Sequence, residues 1–246
     1  QNFIFDLNIT QRIARVASPL TGTVFEIGPG PGGLTRALFI EGAENVIAIE
    51  KDSRPIQFLE HIVTATDGHL TLLEKDAMRQ PIWKMGNAPR KIVANLPYNI
   101  ATALLLKWLA HANAFVSLTL MFQKEVADRL VAKTGEKNYG RISVLAQVYS
   151  NIKKVFDVDA KSFYPAPKVS SSVLLIEPAN FTKIQFQPFK NFLRKSFLYR
   201  RKKFKNNLQK FYKDIEKLPD LSLYVNKRAQ QFSPEEFIEI YKTLFL

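Results

Sequence analysis

The chain has 246 residues and no cysteine. That excludes disulfides, thiolate metal sites and a cysteine nucleophile. Three histidines, His61, His69 and His111, are scattered without the spacing of a ligand set, so no metal centre is expected. No apolar run reaches the roughly 18–20 residues that a membrane span needs; the longest, such as 115–122, are strand-length. A secretory signal is also missing. The expectations are a cytoplasmic protein without a membrane partner, and a monomer. The chain opens on Gln1 rather than Met, so a leading segment is expected ahead of it. Internal repeats and low-complexity tracts are absent.

Acidic residues are missing from one stretch in particular. Residues 190–213 hold ten Lys and Arg and no Asp or Glu. The whole chain has 35 basic and 22 acidic residues, a net charge of +13, and removing that stretch leaves 25 against 22. A merely solvated helix face would interleave both signs. A local field of one sign attracts polyanions. Arg200, Arg201, Lys202, Lys203 and Lys205 are therefore candidate nucleic-acid-binding residues.

What is present is an alternation of strand-like and helix-like segments. Strands are expected at 23–27, 46–50, 70–74, 91–94 and 115–121, and helices at 32–41, 54–65, 100–110 and 124–133. The alternation predicts a doubly wound, Rossmann-like α/β sheet, whose ligands sit at the carboxyl ends of the strands. Residues 143–149 and 171–176 read as late strands around the loop Phe163-Tyr164-Pro165-Ala166-Pro167. After Pro178 the pattern becomes helical: Phe189, Phe192, Leu193 and Phe197 recur at helical spacing, then Phe204, Leu208 and Phe211. Ser233-Pro234-Glu235-Glu236 carries an N-cap, a first-turn proline and a glutamate at the third position. A domain boundary is expected near 177–181, dividing a catalytic domain, 1–178, from a small basic helical domain, 179–246.

Glu26-Ile27-Gly28-Pro29-Gly30-Pro31-Gly32-Gly33 follows the first strand and opens a helix. Gly28, Gly30 and Gly33 fit G-x-G-x-x-G, a turn in which the backbone approaches a ligand closely. Glu50, ending the second strand, is placed to accept from ribose hydroxyls. The turn alone is shared by NAD, FAD and S-adenosylmethionine folds. Pro29 and Pro31 remove two N–H groups that a pyrophosphate would use, which favours S-adenosylmethionine. Asp76 ends the third strand; its carboxylate can accept from an adenine amino group while the N–H of Ala77 donates to a ring nitrogen. Taken alone, Asp76 would read as a turn or cap residue.

Asn95-Leu96-Pro97-Tyr98 follows the strand 91–94. The exocyclic amine of adenine is a poor nucleophile because its lone pair is delocalised into the ring. The Asn95 side-chain oxygen and a backbone carbonyl can both accept its N–H bonds. Pro97 stiffens the turn. Tyr98 can stack on the base, which must leave its helix to arrive there. By itself the tetrapeptide could equally be a proline turn with Tyr98 in the core; behind the glycine turn and two acidic strand ends it points to methylation of an adenine-type amine.

Taken with Gln1-Asn2-Phe3-Ile4, Tyr139-Gly140-Arg141-Ile142-Ser143, Phe163 through Val169, Arg200-Arg201-Lys202 and Arg228-Ala229, these motifs resemble the ribosomal RNA adenine dimethyltransferases over nearly the whole chain. The resemblance implies dimethylation of two adjacent adenosines near the 3′ end of small-subunit RNA, with the immature small subunit as partner and a part in ribosome biogenesis. It implies that Asn2 and Ile4 close the pocket over the methionine part of the cofactor. Gly28 contacts the cofactor, Glu50 its ribose and Asp76 its adenine. Asn95 lies beside the cofactor and the target amine, and Tyr98 and Phe163 sandwich the base. The family's Gly before Gln-Asn-Phe and its basic leader are not in this chain, and Ala101-Thr102 stands where many members have Ser-Thr. Three alternatives remain: an NAD-dependent oxidoreductase, a non-catalytic ribosome-assembly factor, and a methyltransferase of large-subunit RNA.

Overall fold

The computed structural model describes residues 2–179, 184–209, 211 and 226–246. Gln1, Phe181, Lys210 and Lys213, each drawn on above, lie outside them. The chain divides into two compact units: Gln1–Ala127 with Asn151–Pro178, and Asp128–Ser150 with Ala179–Leu246.

The first unit contains β1 (Phe3–Ile4), α1 (Leu7–Val16), β2 (Thr23–Ile27), α2 (Gly33–Ile40), β3 (Asn45–Glu50), α3 (Ile56–Ala65) and β4 (Leu70–Glu74). There follow β5 (Arg90–Asn95), α4 (Tyr98–Leu109), β6 (Ser117–Gln123), the start of α5 (Lys124–Val131), β7 (Ser150–Val158), β8 (Phe163–Tyr164) and β9 (Ser171–Pro178). Seven strands form one sheet in the order β4-β3-β2-β5-β6-β9-β7. The pairs from β4 to β6 are parallel, and β9 runs antiparallel to β6. Every residue of β2 is buried. That follows from helices covering both faces of a parallel sheet, which lets a strand such as Thr23-Val24-Phe25-Glu26-Ile27 be nearly continuous in apolar side chains. The doubly wound architecture expected from the alternation is the one observed. No described helix is long and apolar enough to cross a membrane.

The parallel order places a crevice. β2 has β3 on one side and β5 on the other, so the loops leaving β2 and β5 part at the carboxyl edge, where doubly wound sheets take ligands. A separate two-stranded ribbon pairs Phe3 with Tyr164 and Ile4 with Phe163.

The second unit contains α6 (Arg141–Tyr149), α7 (Phe186–Ser196), α8 (Phe204–Leu208) and α9 (Pro234–Phe245). Its core is aromatic: Phe189 and Phe192 meet Tyr241 at centroid distances of 5.3 and 5.5 Å, and Phe204 meets Phe232 at 4.8 Å. Such tilted pairs add about 0.5–1.5 kcal/mol each beyond burial. The Tyr139 hydroxyl donates to the Phe232 carbonyl at 2.8 Å, and burial pushes its pKa up to about 12. Ser233 and Glu236 form the expected reciprocal cap: the Glu236 N–H donates to Ser233 Oγ at 3.2 Å, and the Ser233 N–H to Glu236 Oε2 at 2.7 Å.

Three expectations are corrected. Residues 143–149 are not a strand but most of α6. The Ser143 Oγ accepts from the Gly140 N–H at 3.0 Å and closes the first turn. Gln147 Nε2 donates to the carbonyls of Leu130 and Ala132, both at 2.9 Å. Residues 128–150 belong with the second unit rather than with 1–178, because α6 packs against α7 and α9. Arg200, Arg201, Lys202 and Lys203 sit in the turn between α7 and α8, not on a helix. Buried Asn207 holds that turn: its Oδ1 accepts from the Tyr199 N–H at 3.1 Å, and its Nδ2 donates to the Ser196 carbonyl at 2.8 Å.

Candidate active site

The turn after β2 carries the glycines. Gly28 has φ +70° and Gly30 φ +54°, a left-handed backbone that costs an L-residue roughly 1–2 kcal/mol. At Gly30 space is a second constraint, since a Cβ would lie 2.4 Å from Phe3 Cε1. The Gly28 N–H donates to the Ile49 carbonyl at 2.9 Å, which ties the turn to the end of β3.

Glu50 ends β3 beside that turn and is buried. Its Oε1 accepts from the N–H groups of Lys51 at 2.8 Å and Asp52 at 3.0 Å. Among the described residues its Oε2 has only a long contact, 3.4 Å, from the Gly30 N–H, so that oxygen retains capacity to accept. Asp76 lies past the end of β4. Its Oδ1 accepts from the Met78 N–H at 2.9 Å and its Oδ2 pairs with Lys51 Nζ at 3.1 Å. The Met78 N–H first, and then Lys51, hold its carboxyl below the usual range. Ala77 is buried behind it. Lys107, from α4, donates to the carbonyls of Met78 and Gln80 at 2.8 Å and of Ala77 at 3.3 Å, and so braces this turn.

Asn95 is the last residue of β5. Its Nδ2 donates to the backbone carbonyl of Asn2 at 3.1 Å. With the amide turned that way, Oδ1 accepts no hydrogen bond from the described residues. Asn2, Asn95, Leu96, Pro97, Tyr98 and Asn99 line a cavity of about 290 Å³. A smaller one of about 20 Å³ runs between Ile4, Glu26, Gly28 and Asn95. Tyr98 starts α4, and its hydroxyl shares a 2.7 Å hydrogen bond with Ser171 Oγ, so its ring has a fixed setting.

The crevice thus brings together Asn2, Ile4, Gly28, Gly30, Glu50, Asn95, Pro97 and Tyr98. Asp76 and Ala77 stand at the next strand end, linked to Glu50's neighbour Lys51. Phe163 is different. It is 4% exposed and packed in the core cluster with Ile4 and Val173. Among the described residues it is not one that lines the larger cavity.

Two residues were not singled out in the sequence. Glu26 is 1% exposed within β2, and Thr35 Oγ1 donates to its Oε2 at 2.6 Å. Burial pushes its carboxyl up to about 8, the Thr35 hydrogen bond opposes that, and the nearby Glu50 charge adds to it. The signal was an acid inside an otherwise apolar strand, directly before the glycine turn. Lys107 gave no signal, because its partners are backbone carbonyls.

These donors fit S-adenosylmethionine. The left-handed glycine turn brings bare backbone to the crevice, an acceptor stands at Glu50, and an acceptor and an N–H stand at Asp76 and Ala77. Among the described residues that line the two cavities there is no Lys or Arg to await a phosphate.

The family model for ribosomal RNA adenine dimethylases matches residues 1–245. The ribosomal RNA small subunit methyltransferase A of Paramagnetospirillum magneticum is 44% identical over 99% of this chain and 88% of its own. That of Rhodospirillum rubrum is 54% identical over 179 residues, covering 72% of this chain and 62% of the relative. The crystal structure of a dimethyladenosine transferase from Plasmodium falciparum superposes with a TM-score of 0.83 at 26% identity, covering 98% of both chains.

Proposed function

This chain belongs to the ribosomal RNA adenine dimethylase family, and we propose that it transfers methyl groups from S-adenosylmethionine to the N6 amine of adenosines in small-subunit ribosomal RNA. Two adjacent adenosines near the 3′ end, in an immature small subunit in the cytoplasm, are the substrate this reading assigns, and the enzyme works as a monomer. The observation that carries it is Asn95, whose amide is fixed by the Asn2 carbonyl so that Oδ1 is left as an acceptor at the cavity wall.

Gly28 and Gly30 let the cofactor lie against the backbone, Glu50 takes its ribose hydroxyls, and Asp76 with the Ala77 N–H takes its adenine. Asn2 and Ile4 close over its methionine end. Bound there, S-adenosylmethionine supplies an electrophilic methyl group carried on a sulfonium. The chain's residues do the rest. Asn95 Oδ1 and a backbone carbonyl of the 95–98 turn accept the two N–H bonds of the target amine and direct its lone pair. Pro97 keeps that turn rigid. Tyr98, held by Ser171, stacks on one face of the extruded base. Phe163 covers the other face once it leaves its packing with Ile4. Placement of this kind can account for about 7–11 kcal/mol of a barrier. The amine needs no general base, since its proton can leave after transfer.

In the second unit, Arg201, Lys202, Lys203 and Lys205 contact phosphates, together with the part of the Arg200 guanidinium not already used. Arg200 donates to the carbonyls of Lys137 and Tyr139 and, at 3.2 Å, to Gln230 Oε1.

Asn95→Ala tests the assignment. Methyl transfer to unmethylated small subunits should fall at least about a hundredfold, in line with loss of a transition-state contact, while cofactor binding stays measurable by calorimetry. Unchanged turnover contradicts the assigned role.

A further inference from the structure

Two exposed rings beside the site have no part in the chemistry above. Phe5 is 63% exposed and Tyr164 72% exposed, and their centroids lie 6.5 Å apart. The β1–β8 ribbon explains how they meet. Phe3 is the register partner of Tyr164, and Ile4 of Phe163. Side chains alternate between the faces of a strand. Ile4 and Phe163 are buried and face the core, while Phe5 and Tyr164 turn to the opposite, exposed side. The inner pair anchors the ribbon. The outer rings contribute little to folding, because so much of their surface stays in water.

Scattered exposed apolar residues are ordinary. Two aromatics in contact on a ribbon that also forms the site wall are a different case. Asn2, which leads into β1, lines the larger cavity and accepts from Asn95. Phe5 is three residues further on, within about 11 Å of Asn2 along the chain. Nucleotides stack about 3.4 Å apart along a strand, so a base one to three positions from the extruded adenosine falls within reach. Extrusion leaves the neighbouring bases with an uncovered face, and an aromatic ring replaces the lost stack.

The geometry points to a base-stacking platform: Tyr164, backed by Phe5, takes the base of an unpaired nucleotide flanking the target adenosine. This rests on the RNA adenine methyltransferase reading of the site. Every base has a π-face, so the platform tolerates any base at that position.

The test uses the full chain and a single-stranded RNA oligonucleotide holding the adenosine pair with 2-aminopurine beside it. Assembled, unmethylated small subunits serve as the second substrate. Tyr164→Ala should lower oligonucleotide affinity about fivefold to a hundredfold, the range set by removing one base–aromatic stack, and should abolish the quenching of 2-aminopurine seen with the wild type. Phe5→Ala should weaken both in part. Tyr164→Phe should retain both, because the ring and not the hydroxyl stacks. The S-adenosylmethionine Kd and the thermal midpoint should not move in any of them. Wild-type affinity and quenching in Tyr164→Ala overturn the platform. So does a loss confined to assembled subunits, which would make the patch a contact for ribosomal protein. If the wild type methylates RNA and the variants match it, the platform alone falls; if the wild type neither binds nor methylates RNA, the reading of the site falls with it.

Discussion

Glu26 carries the clearest consequence at the scale of one residue. A carboxyl held near 8 when folded and near its ordinary value, about 4.3, when unfolded binds its proton more tightly in the native state. Its contribution to stability is complete below the unfolded pKa and is lost as pH rises through the folded one. Stability should therefore decline between about pH 4.5 and 8, by a few kcal/mol at most. Glu26→Gln keeps an acceptor for Thr35 and removes the titration. Urea denaturation across that window should show the decline in the wild type and a flatter profile in the variant. Equal slopes would mean that Glu26 is ionised throughout. Asp52, Asp76 and Asp157 carry depressed values, so their effects fall at more acid pH. His111, lowered by burial, titrates inside the window with the opposite sign, and it does so equally in the wild type and the variant, so the comparison isolates Glu26.

The residues of the site differ in how far the sequence discloses them. Asn95, Glu50 and Gly30 are legible because strand ends and a glycine turn constrain what a side chain there can do. The settings of Asn95 and Tyr98 are not legible, since their partners, Asn2 and Ser171, lie 93 and 73 positions away along the chain. Phe163 is the instructive case: family resemblance selects it for the base, yet in this fold its ring is in the core and its neighbour Tyr164 is the exposed one.

At the scale of elements, β2, β3 and β4 are recognisable as apolar runs bounded by turn residues. β7 is not, because Lys154 interrupts its alternation to pair with Asp157 at 2.9 Å. β1 and β8 have two residues each and exist only through their pairing, so local sequence cannot announce them. α6 reads as a strand because Val144, Leu145, Ala146, Val148 and Tyr149 are all buried, which hides the helical period. The β1 ribbon and the glycine turn also depend on each other. Gly30→Ala adds backbone strain at φ +54° and drives a methyl into the Phe3 ring. It should weaken S-adenosylmethionine binding at least about tenfold in calorimetry, from about 1–2 kcal/mol of strain plus the displaced ring. An unchanged Kd would show that the turn and the ribbon yield independently.

At the scale of the whole molecule, charge has a confined role. The excess of positive residues in 190–213 lies in the second unit, while the residues proposed to hold the cofactor and the amine belong to the first. Arg200 supports backbone carbonyls, so removing it would mix folding with binding. Arg201→Gln, Lys202→Gln and Lys203→Gln together avoid that. They should lower RNA affinity at all sequences and reduce the slope of log K against log salt by about two to three, as the loss of three phosphate contacts requires. An unchanged slope would make the cluster a solvated surface.

The most direct measurement of the central claim is methylation of unmethylated small ribosomal subunits by the full chain with labelled S-adenosylmethionine, followed by mapping of the modified bases. The expected result is label on the N6 amines of two adjacent adenosines near the 3′ end of the small-subunit RNA. Label on large-subunit RNA, on another atom, or on no RNA at all would contradict it.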